Sequence, residues 1–401
     1  MAVDSRPIIV AGGGIGGMAA ALALSHQGFA VKVLEQASQI GEIGAGIQLG
    51  PNAFSAFDAL GVGEKARSLA VYTDRLVLMD AVDEREVASV CVGEAFRKRF
   101  NNPYAVSHRA DLHQALHEGV RDNPRIEVLT STHVERVEQD DHGVRTIDRQ
   151  GRIHEGAAIV GADGVKSAVR QQFVGDPVRV SGHVVYRAVV DTPDFPPNLQ
   201  WNAPCVWAGP NCHLVHYPLR GGGQYNVVVT FHSRKHEEWG VTEGSRDEVL
   251  SYFHGIGDRP RQLLDLPKSW KRWATADREP IGRWSFGRVT LLGDAAHPMY
   301  QRGSNGCAQA LIDARVLSDL LKSAGSGEAA LRAYEGARLG PTTRIVFTNR
   351  TTPPDFINIK VEELTGDAPF DDLDRYISQS ELKAVSDNYK RIAGFDRQDV
   401  M

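Results

Sequence analysis

The sequence predicts an α/β fold with a Rossmann-like parallel sheet, an inserted domain built on an antiparallel sheet, and a helical C-terminal part. Three observations support this class. Residues 7–34 read as strand, glycine loop, helix and strand, which is one βαβ unit. Residues 176–275 are richer in Trp, Tyr, Pro and β-branched residues, which favours an antiparallel sheet. Residues 287–297, "GRVTLLGDAAH", then return to a buried strand of the parallel type.

The composition fits a globular protein with a large core and excludes several classes of function. The 401 residues carry a net charge of -5, so there is no basic field for nucleic acid or an anionic membrane. No apolar run reaches the roughly 18 residues of a membrane span, and no signal peptide is expected. The four cysteines have no metal-ligand spacing; they are Cys91, Cys205, Cys212 and Cys307. We expect a cytoplasmic protein, monomeric or homodimeric, without a bound metal.

A glycine motif, Gly12-x-Gly14-x-x-Gly17, joins the first strand to the first helix and predicts a dinucleotide site. The first glycine permits a tight turn, the second lets a pyrophosphate approach the backbone, and the third packs the helix on the strand. The helix N-terminus offers free N–H groups to the phosphates. Glu35 ends the second strand, where a carboxylate can accept both hydroxyls of an adenosine ribose. NAD and FAD both fit, and a structural turn with a solvated Glu35 is the alternative.

Hydrophobic periodicity and turn residues place the other elements. In chain order we expect strand 7–11, helix 15–26, strand 31–34, a helix from 52 that Gly61 ends, strands over 76–92, helix 108–122, a β-meander over 133–164, and helices 305–323 and 327–350. An amphipathic segment around Leu382, Val385 and Tyr389 completes the chain.

These elements divide the chain into two domains and a tail. The nucleotide-binding domain is expected to comprise residues 1–72, 100–175 and 276–326. The sheet domain is expected to comprise 73–99 and 176–275, and residues 327–401 the C-terminal helical region and tail.

Two later motifs each follow an apolar strand, as ligand-binding residues of open α/β sheets do. They are "GADGVKSAVR", residues 161–170, with Asp163, and "GDAAHPMYQRGSNG", residues 293–306, with Asp294. Asp163 could instead be a helix N-cap, and Asp294 a turn residue. Their occurrence after the glycine motif, in this order and spacing, favours a common ligand site.

Together these motifs resemble the single-component FAD-dependent aromatic hydroxylases of the p-hydroxybenzoate hydroxylase fold. The resemblance covers nearly the whole chain and includes "GAGIQLGPNA" (44–53) and "HRADLH" (108–113). It implies a tightly bound FAD in the first domain and NADH or NADPH as cosubstrate. The residues that it assigns to FAD are Gly12, Gly14, Gly17, Glu35, Gln48, Arg109, Val134, Asp163, Asp294, Gly303, Asn305 and Gly306. Gly303 and Gly306 would leave room for the flat ring, and the following helix would point its N-terminus at the ring.

The segment "CHLVHYPL", residues 212–219, is a candidate substrate strand. His213, Val215 and Tyr217 are expected on one face and Cys212, Leu214 and His216 on the other. A plain core face and solvent face would give the same alternation. The segment, with "EIGAGIQLGPNAF" (42–54), resembles the 3-hydroxybenzoate 6-hydroxylases. That resemblance implies that His213, Tyr217 and Gln301 bind the phenol, with His213 as its base.

The flavin-ring loop gives a different signal about the substrate. "RGSNGCAQALIDA", residues 302–314, and the tail from "TTPPDFINIK" resemble phenazine-type hydroxylases such as 5-methylphenazine-1-carboxylate monooxygenase. We give more weight to the face that touches substrate. This predicts 3-hydroxybenzoate hydroxylated para to its hydroxyl, giving gentisate, with O2 and, as the family implies, a flavin C4a-hydroperoxide. Salicylate and a phenazine carboxylate are the alternatives, and no arginine can be assigned to the substrate carboxylate from the sequence.

Other protein classes fit the motifs less well. "KSWKRWATADREP", residues 268–280, does not match the tryptophan-rich signature of flavin halogenases, and the cysteine pair of disulfide reductases is missing. A flavin-free binding protein on the same fold remains an alternative of a different class. It would leave Glu35, Asp163 and Asp294 without a purpose.

Overall fold

The computed structural model describes residues 6–41, 44–209, 212–301, 303–323, 327–351 and 378–393. The strands are β1 Ile8–Ala11, β2 Val31–Leu34, β3 Gly46–Leu49, β4 Val71–Tyr72, β5 Arg75–Asp80, β6 Glu86–Cys91, β7 Ala105–His108, β8 Ile126–Leu129, β9 Val134–Gln139, β10 Val144–Asp148, β11 Ile153–Gly156, β12 Ala158–Gly161, β13 Arg179–Asp191, β14 Cys205–Gly209, β15 Cys212–Leu219, β16 Gln224–His232, β17 Gly240–Gly244, β18 Trp270–Asp277, β19 Ser285–Phe286 and β20 Val289–Leu291. The helices are α1 Ile15–His26, α2 Pro51–Ala59, α3 Gly63–Ser68, α4 Glu94–Phe100, α5 Arg109–Arg121, α6 Ala168–Phe173, α7 Arg246–Tyr252, α8 Asp258–Asp265, α9 Gly306–Ser323, α10 Gly327–Thr351 and α11 Gln379–Ala393.

The first sheet has the order β19-β20-β12-β1-β2-β8 and is parallel except at the β19–β20 pair. Every residue of β1, β12 and β20 is buried, because helices cover the sheet and apolar side chains point to both faces. Helix α1 packs against α5 and α9. The predicted parallel sheet, and the return of the chain to it at β20, are confirmed.

The predicted β-meander is also present. Strands β9, β10 and β11 form an antiparallel sheet in the order β11-β10-β9. Helix α2 ends next to Gly61, whose φ of 72° provides the left-handed conformation that stops a helix.

The large sheet has the order β17-β18-β13-β16-β15-β14-β5-β6. Its pairs are antiparallel except β14–β5, which is parallel and joins β14 to a strand from a much earlier part of the chain. Helices α7 and α8 cover one face with apolar residues such as Val249 and Leu263, which join the core around Trp207 and Trp270. Strands β5 and β6 belong to this sheet, while the predicted domain boundaries stay a prediction.

A small sheet, in the order β3-β7-β4, covers the other face of the large sheet. Val106 of β7 packs in one apolar cluster with Val185, Val215, Tyr217 and Val228 of the large sheet. The residues between these two sheets form the candidate substrate site.

Helices α9, α10 and α11 form the C-terminal part, and α10 packs against both α9 and α11. Helix α11 lies where the amphipathic segment was predicted. The tail from residue 352 to 377, which carries part of the phenazine-like signal, lies outside the described residues. Among the helices described, none is long and apolar enough to cross a membrane.

Candidate active site

The glycine motif brings the first strand, the first helix and the "GADG" loop into close contact. A methyl group on Gly12 would lie 2.4 Å from the Ala162 carbonyl oxygen, and one on Gly17 only 1.9 Å from the Gly12 carbonyl oxygen. Gly12 also has a φ of 101°, which side chains rarely permit. The α1 N-terminus begins at Gly14 without a side-chain cap, which leaves its first N–H groups for a ligand.

The Glu35 carboxylate holds the glycine loop in place through two backbone hydrogen bonds. Its Oε2 accepts a hydrogen bond from the Gly13 N–H at 2.6 Å, and its Oε1 accepts one from the Ala37 N–H at 2.6 Å. A cavity of about 260 Å³ opens beside it, lined by Gly13, Gly14, Glu35, Ala37, Gln39, Ile40 and Gly41. An uncapped helix N-terminus, a carboxylate and a side-chain-free cradle fit the pyrophosphate and adenosine ribose of FAD.

Asp163 is not the N-cap of α6: that residue is Ser167, whose hydroxyl accepts from the Arg170 N–H at 2.9 Å, and Asp163 binds the start of the helix from the turn before it. Its Oδ2 accepts from the Ala168 N–H at 2.8 Å, and its Oδ1 accepts from the Ser167 hydroxyl at 2.5 Å. Burial raises the pKa of this carboxyl group, although the hydrogen bonds oppose the change. Since Ala162 touches Gly12, the capped turn also shapes the cofactor cradle.

Arg170 joins the two later motifs, a role that sequence reasoning missed. The buried guanidinium pairs with Asp176 at 2.7 Å and donates to the carbonyl oxygens of Ala295 and Ala296 at 3.1 and 2.8 Å. The sequence feature that could have identified Arg170 is its position in the motif "GADGVKSAVR". The pairing fixes the "GDAAH" segment relative to the "GADG" loop.

Asp294 is exposed at the turn after β20, next to Gly293, whose φ is 61°. The turn is held from behind by Asp313 of α9, another residue that the sequence did not single out. The Asp313 carboxylate accepts from the Gly293 N–H at 3.1 Å, and it meets His297 Nε2 and Arg338 Nε, each at 2.6 Å. These contacts hold the turn that carries the exposed Asp294 carboxylate in one position.

The loop before α9 has the small residues that were expected beside a flat ring. Gly303 has a φ of 77°, and a methyl group on Gly306 would meet Met299 only at 3.8 Å, an ordinary contact. Packing within the described protein thus does not require Gly306. Asn305 is buried, its Oδ1 accepts from Asn52 Nδ2 at 3.2 Å, and its Nδ2 has no partner among the described residues. A buried amide donor at the start of α9 fits a polar ring edge.

The other predicted cofactor residues lie on the elements around this cradle. Gln48 of β3 accepts a hydrogen bond from the Tyr104 hydroxyl at 2.5 Å. Arg109 is exposed at the start of α5, and its backbone N–H donates to the Ala45 oxygen at 2.9 Å. Val134 is a buried residue of β9, two positions after Thr132, whose backbone N–H donates to the Glu35 oxygen at 2.8 Å.

Strand register confirms the predicted alternation along β15. His213 pairs with Thr230, which pairs with Val185; Tyr217 pairs with Asn226, which pairs with Val189. Leu214 and His216 point to the opposite face, into the core around Trp207. Both faces of the strand are covered, so the alternative of a core face and a solvent face does not hold.

Gly46 of β3 closes over this face. Its N–H donates to Asn226 Oδ1 at 2.8 Å, its carbonyl accepts from Arg187 Nη1 at 3.2 Å, and a methyl group there would lie 2.6 Å from the Tyr217 oxygen. Arg187 also donates from Nη2 to Gln301 Oε1. Gln301 and Tyr217 are thus brought together through Arg187 and Gly46.

Arg187 and Asn226 were not identified from the sequence. Arg187 stands in "VVYRAVV" in phase with Val185 and Val189, so a charged residue on an apolar face was the available signal. Burial raises the pKa of Tyr217 to about 12, with Arg187 opposing the change. The Tyr217 hydroxyl therefore keeps its proton at neutral pH.

The cradle, its acidic motifs and the two-sheet pocket define a flavoprotein with a substrate site beside its cofactor. Residues 5–346 match the model of the family described as FAD binding domain, and the chain belongs to that family. FAD is therefore its cofactor, as predicted.

Two relatives of this chain are named 3-hydroxybenzoate 6-hydroxylase. The chain is 63% identical over 345 residues to a 3-hydroxybenzoate 6-hydroxylase of Polaromonas naphthalenivorans (strain CJ2), with 86% of each chain covered. It is 55% identical over 351 residues to a 3-hydroxybenzoate 6-hydroxylase of Klebsiella oxytoca, with 87% of this chain and 88% of the relative covered. The predicted resemblance to FAD-dependent aromatic hydroxylases is confirmed.

A solved structure, a salicylate hydroxylase substrate complex, matches the fold with a TM-score of 0.77 and 24% identity, covering 99% of this chain and 100% of that chain. The predicted fold class is confirmed.

Proposed function

We propose that this protein is an FAD-dependent monooxygenase that converts 3-hydroxybenzoate to gentisate, using NAD(P)H and O2. The observation that carries the proposal is the placement of His213 and Tyr217 on one sheet face, with Gln301 tied to that face by Arg187. The two relatives named 3-hydroxybenzoate 6-hydroxylase support the choice of substrate over a phenazine.

When bound and reduced by NAD(P)H, FAD would supply the chemistry that places one atom of O2 on the ring and releases the other as water. The described residues suited to hold it are Glu35 for the ribose, the α1 N-terminus for the pyrophosphate, Asp294 for the ribityl chain, and the Gly303–Gly306 loop for the ring. The α9 N-terminus favours negative charge on that ring.

The protein activates the substrate by removing the phenol proton. His213 accepts that proton on an imidazole nitrogen, which raises electron density at the ring carbon para to the oxygen. Tyr217 serves as a hydrogen-bond donor to the phenolate oxygen, because a pKa of about 12 keeps it protonated. Gln301 orients the same oxygen.

The pocket also excludes water. Apart from Arg187, Asn226 and Thr230, the neighbours of His213 and Tyr217 on this face are apolar, with Val185, Val215 and Val228 packed beneath the small sheet. A dry site limits the loss of reducing equivalents as hydrogen peroxide without hydroxylation, and it strengthens the hydrogen bonds to the phenolate.

The first test is oxidation of NADH and of NADPH by the purified protein with 3-hydroxybenzoate, salicylate, 4-hydroxybenzoate or phenazine-1-carboxylate. We expect 3-hydroxybenzoate to stimulate oxidation most and to yield gentisate carrying one atom from ¹⁸O2, identified by chromatography and mass. Stimulation by the phenazine alone would instead support the phenazine-type substrate that the sequence of residues 302–314 suggests. A yellow protein that hydroxylates none of the four rings would refute the proposed substrate.

A further inference from the structure

Arg187 is a charged residue in the middle of an apolar sheet face. Arg187 pairs with Val228, which pairs with Val215. Along β15, Val215 stands between His213 and Tyr217, so Arg187 lies at the level of the sheet between these two residues. Burying a guanidinium is costly unless its donors are satisfied. We therefore expect Arg187 to have a function in the substrate site.

The contacts of Arg187 are to uncharged groups. Its Nη1 donates to the Gly46 oxygen, its Nη2 donates to Gln301 Oε1, and the guanidinium lies 5.8 Å from the centre of the Trp273 ring. Within the described part of the chain, no carboxylate forms an ion pair with it, and its buried Nε has no hydrogen-bond partner. Its positive charge thus acts on the pocket without neutralisation by a neighbouring acid.

The Arg187–Gln301 contact fixes which end of the Gln301 amide faces outward. A guanidinium has five donors and no acceptor, so only the carbonyl oxygen of Gln301 can bind it. The Gln301 NH2 group is then left for other acceptors. Without Arg187, the amide could turn and present its oxygen, which would repel a phenolate.

Resting on the proposed function, we propose that Arg187 is a positioning residue: it orients the Gln301 amide as a donor to the phenolate oxygen and stabilises that charge. The ligand chemistry that it selects is a ring hydroxyl in its ionised form. A substrate carboxylate is a different anion, and the experiment must separate the two.

The test measures binding of 3-hydroxybenzoate and of benzoate to the oxidised holoenzyme, through the change in flavin absorbance. Benzoate has the carboxylate and no hydroxyl. We expect Arg187→Met to weaken binding of 3-hydroxybenzoate at least about ten-fold, since it removes the support of a charge-assisted hydrogen bond, and to leave benzoate unchanged. The matched control is Arg179→Gln, on the same strand but exposed and paired with Glu279 at 3.5 Å. It should change neither.

Equally weakened binding of both ligands would overturn the proposal and place Arg187 at the substrate carboxylate. Unchanged binding of both would also overturn it, because Arg187 would then have only a structural role. If Arg187→Met does not retain FAD, Arg187→Lys is measured instead, and a loss confined to 3-hydroxybenzoate is again required. A double-mutant cycle with Gln301→Met tests whether Arg187 acts through Gln301. The double variant should bind 3-hydroxybenzoate as tightly as the single variant with the lower affinity. Additive losses would contradict action through Gln301. A wild-type enzyme that neither binds nor converts 3-hydroxybenzoate refutes the proposed function itself.

Discussion

Two histidines three residues apart on β15 have opposite surroundings. His216 is fully buried; its Nδ1 accepts from Trp207 Nε1 at 3.2 Å, and its Nε2 contacts the Leu199 oxygen at 3.2 Å. Burial lowers the pKa of His216 to about 4, so it stays neutral as part of the core. His213 is half-buried, on the face that also carries the buried Tyr217. The period of two along the strand alone decides which histidine is available for chemistry.

Replacement of His213 by alanine tests its role as the base. We expect His213→Ala to keep FAD and its yellow colour while the hydroxylation rate falls roughly 100- to 10,000-fold, the usual contribution of a general base. The measurement is gentisate formed per NADH oxidised, beside flavin content. His232→Ala, at the exposed end of β16, is the control and should retain activity. Full activity in His213→Ala would remove the base assignment.

At the scale of elements, one buried carboxylate links the turn after β20 to two helices. Asp313 of α9 binds His297 and Gly293 on one oxygen and Arg338 of α10 on the other. Burial by itself would raise the pKa of Asp313, but His297 and Arg338 hold it below its usual value. The carboxylate is therefore ionised where it supports the cofactor turn.

Replacement of Asp313 by asparagine should destabilise this support. Breaking a buried ion pair leaves Arg338 uncompensated, so we expect Asp313→Asn to lower the free energy of unfolding by about 3 kcal/mol or more. Urea unfolding followed by circular dichroism measures the change. Asp319→Asn, on the exposed side of the same helix, is the matched control and should unfold like the wild type. Equal stability of the two variants would contradict the role given to Asp313.

The elements differ in how far the sequence could predict them. The βαβ unit, the meander and β20 follow from long apolar or alternating runs with glycine punctuation. The small sheet was not predicted, because β3, β4 and β7 have only two to four residues each and no clear alternation. The parallel β14–β5 pair and the Arg187–Gln301 contact join residues more than 100 positions apart, which no local pattern encodes.

At the scale of the whole molecule, side-chain contacts join the large sheet to the small sheet and to the helices of the FAD-binding part. Gly46 of the small sheet bonds to Asn226 and Arg187 of the large sheet, and Arg220, in the turn between β15 and β16, pairs with Asp111 of α5 at 2.6 Å. Because these contacts join the cofactor cradle to the substrate face, we expect bound FAD to stabilise the assembly as a unit.

Removal of FAD tests this coupling. A ligand that binds only the folded state stabilises it by about 2.7 kcal/mol at a free concentration 100 times its Kd. We expect the apoprotein to melt at a lower temperature than the holoenzyme and the Tm to rise steadily with added FAD. Scanning calorimetry over a series of FAD concentrations measures this. Identical melting of the apoprotein and the holoenzyme would show that the fold does not depend on its cofactor.

The strand order of the parallel sheet also has a consequence for synthesis of the chain. Strand β1 pairs with β12, about 150 residues later, and β12 pairs with β20 at Val289–Leu291. At about 5 to 20 residues per second, the ribosome needs roughly 15 to 60 s to produce β20 after β1. The sheet cannot be completed before then, and apolar strand edges stay open to other nascent chains. Yield of folded enzyme in a host cell should therefore improve when growth is cooled and chaperones are abundant.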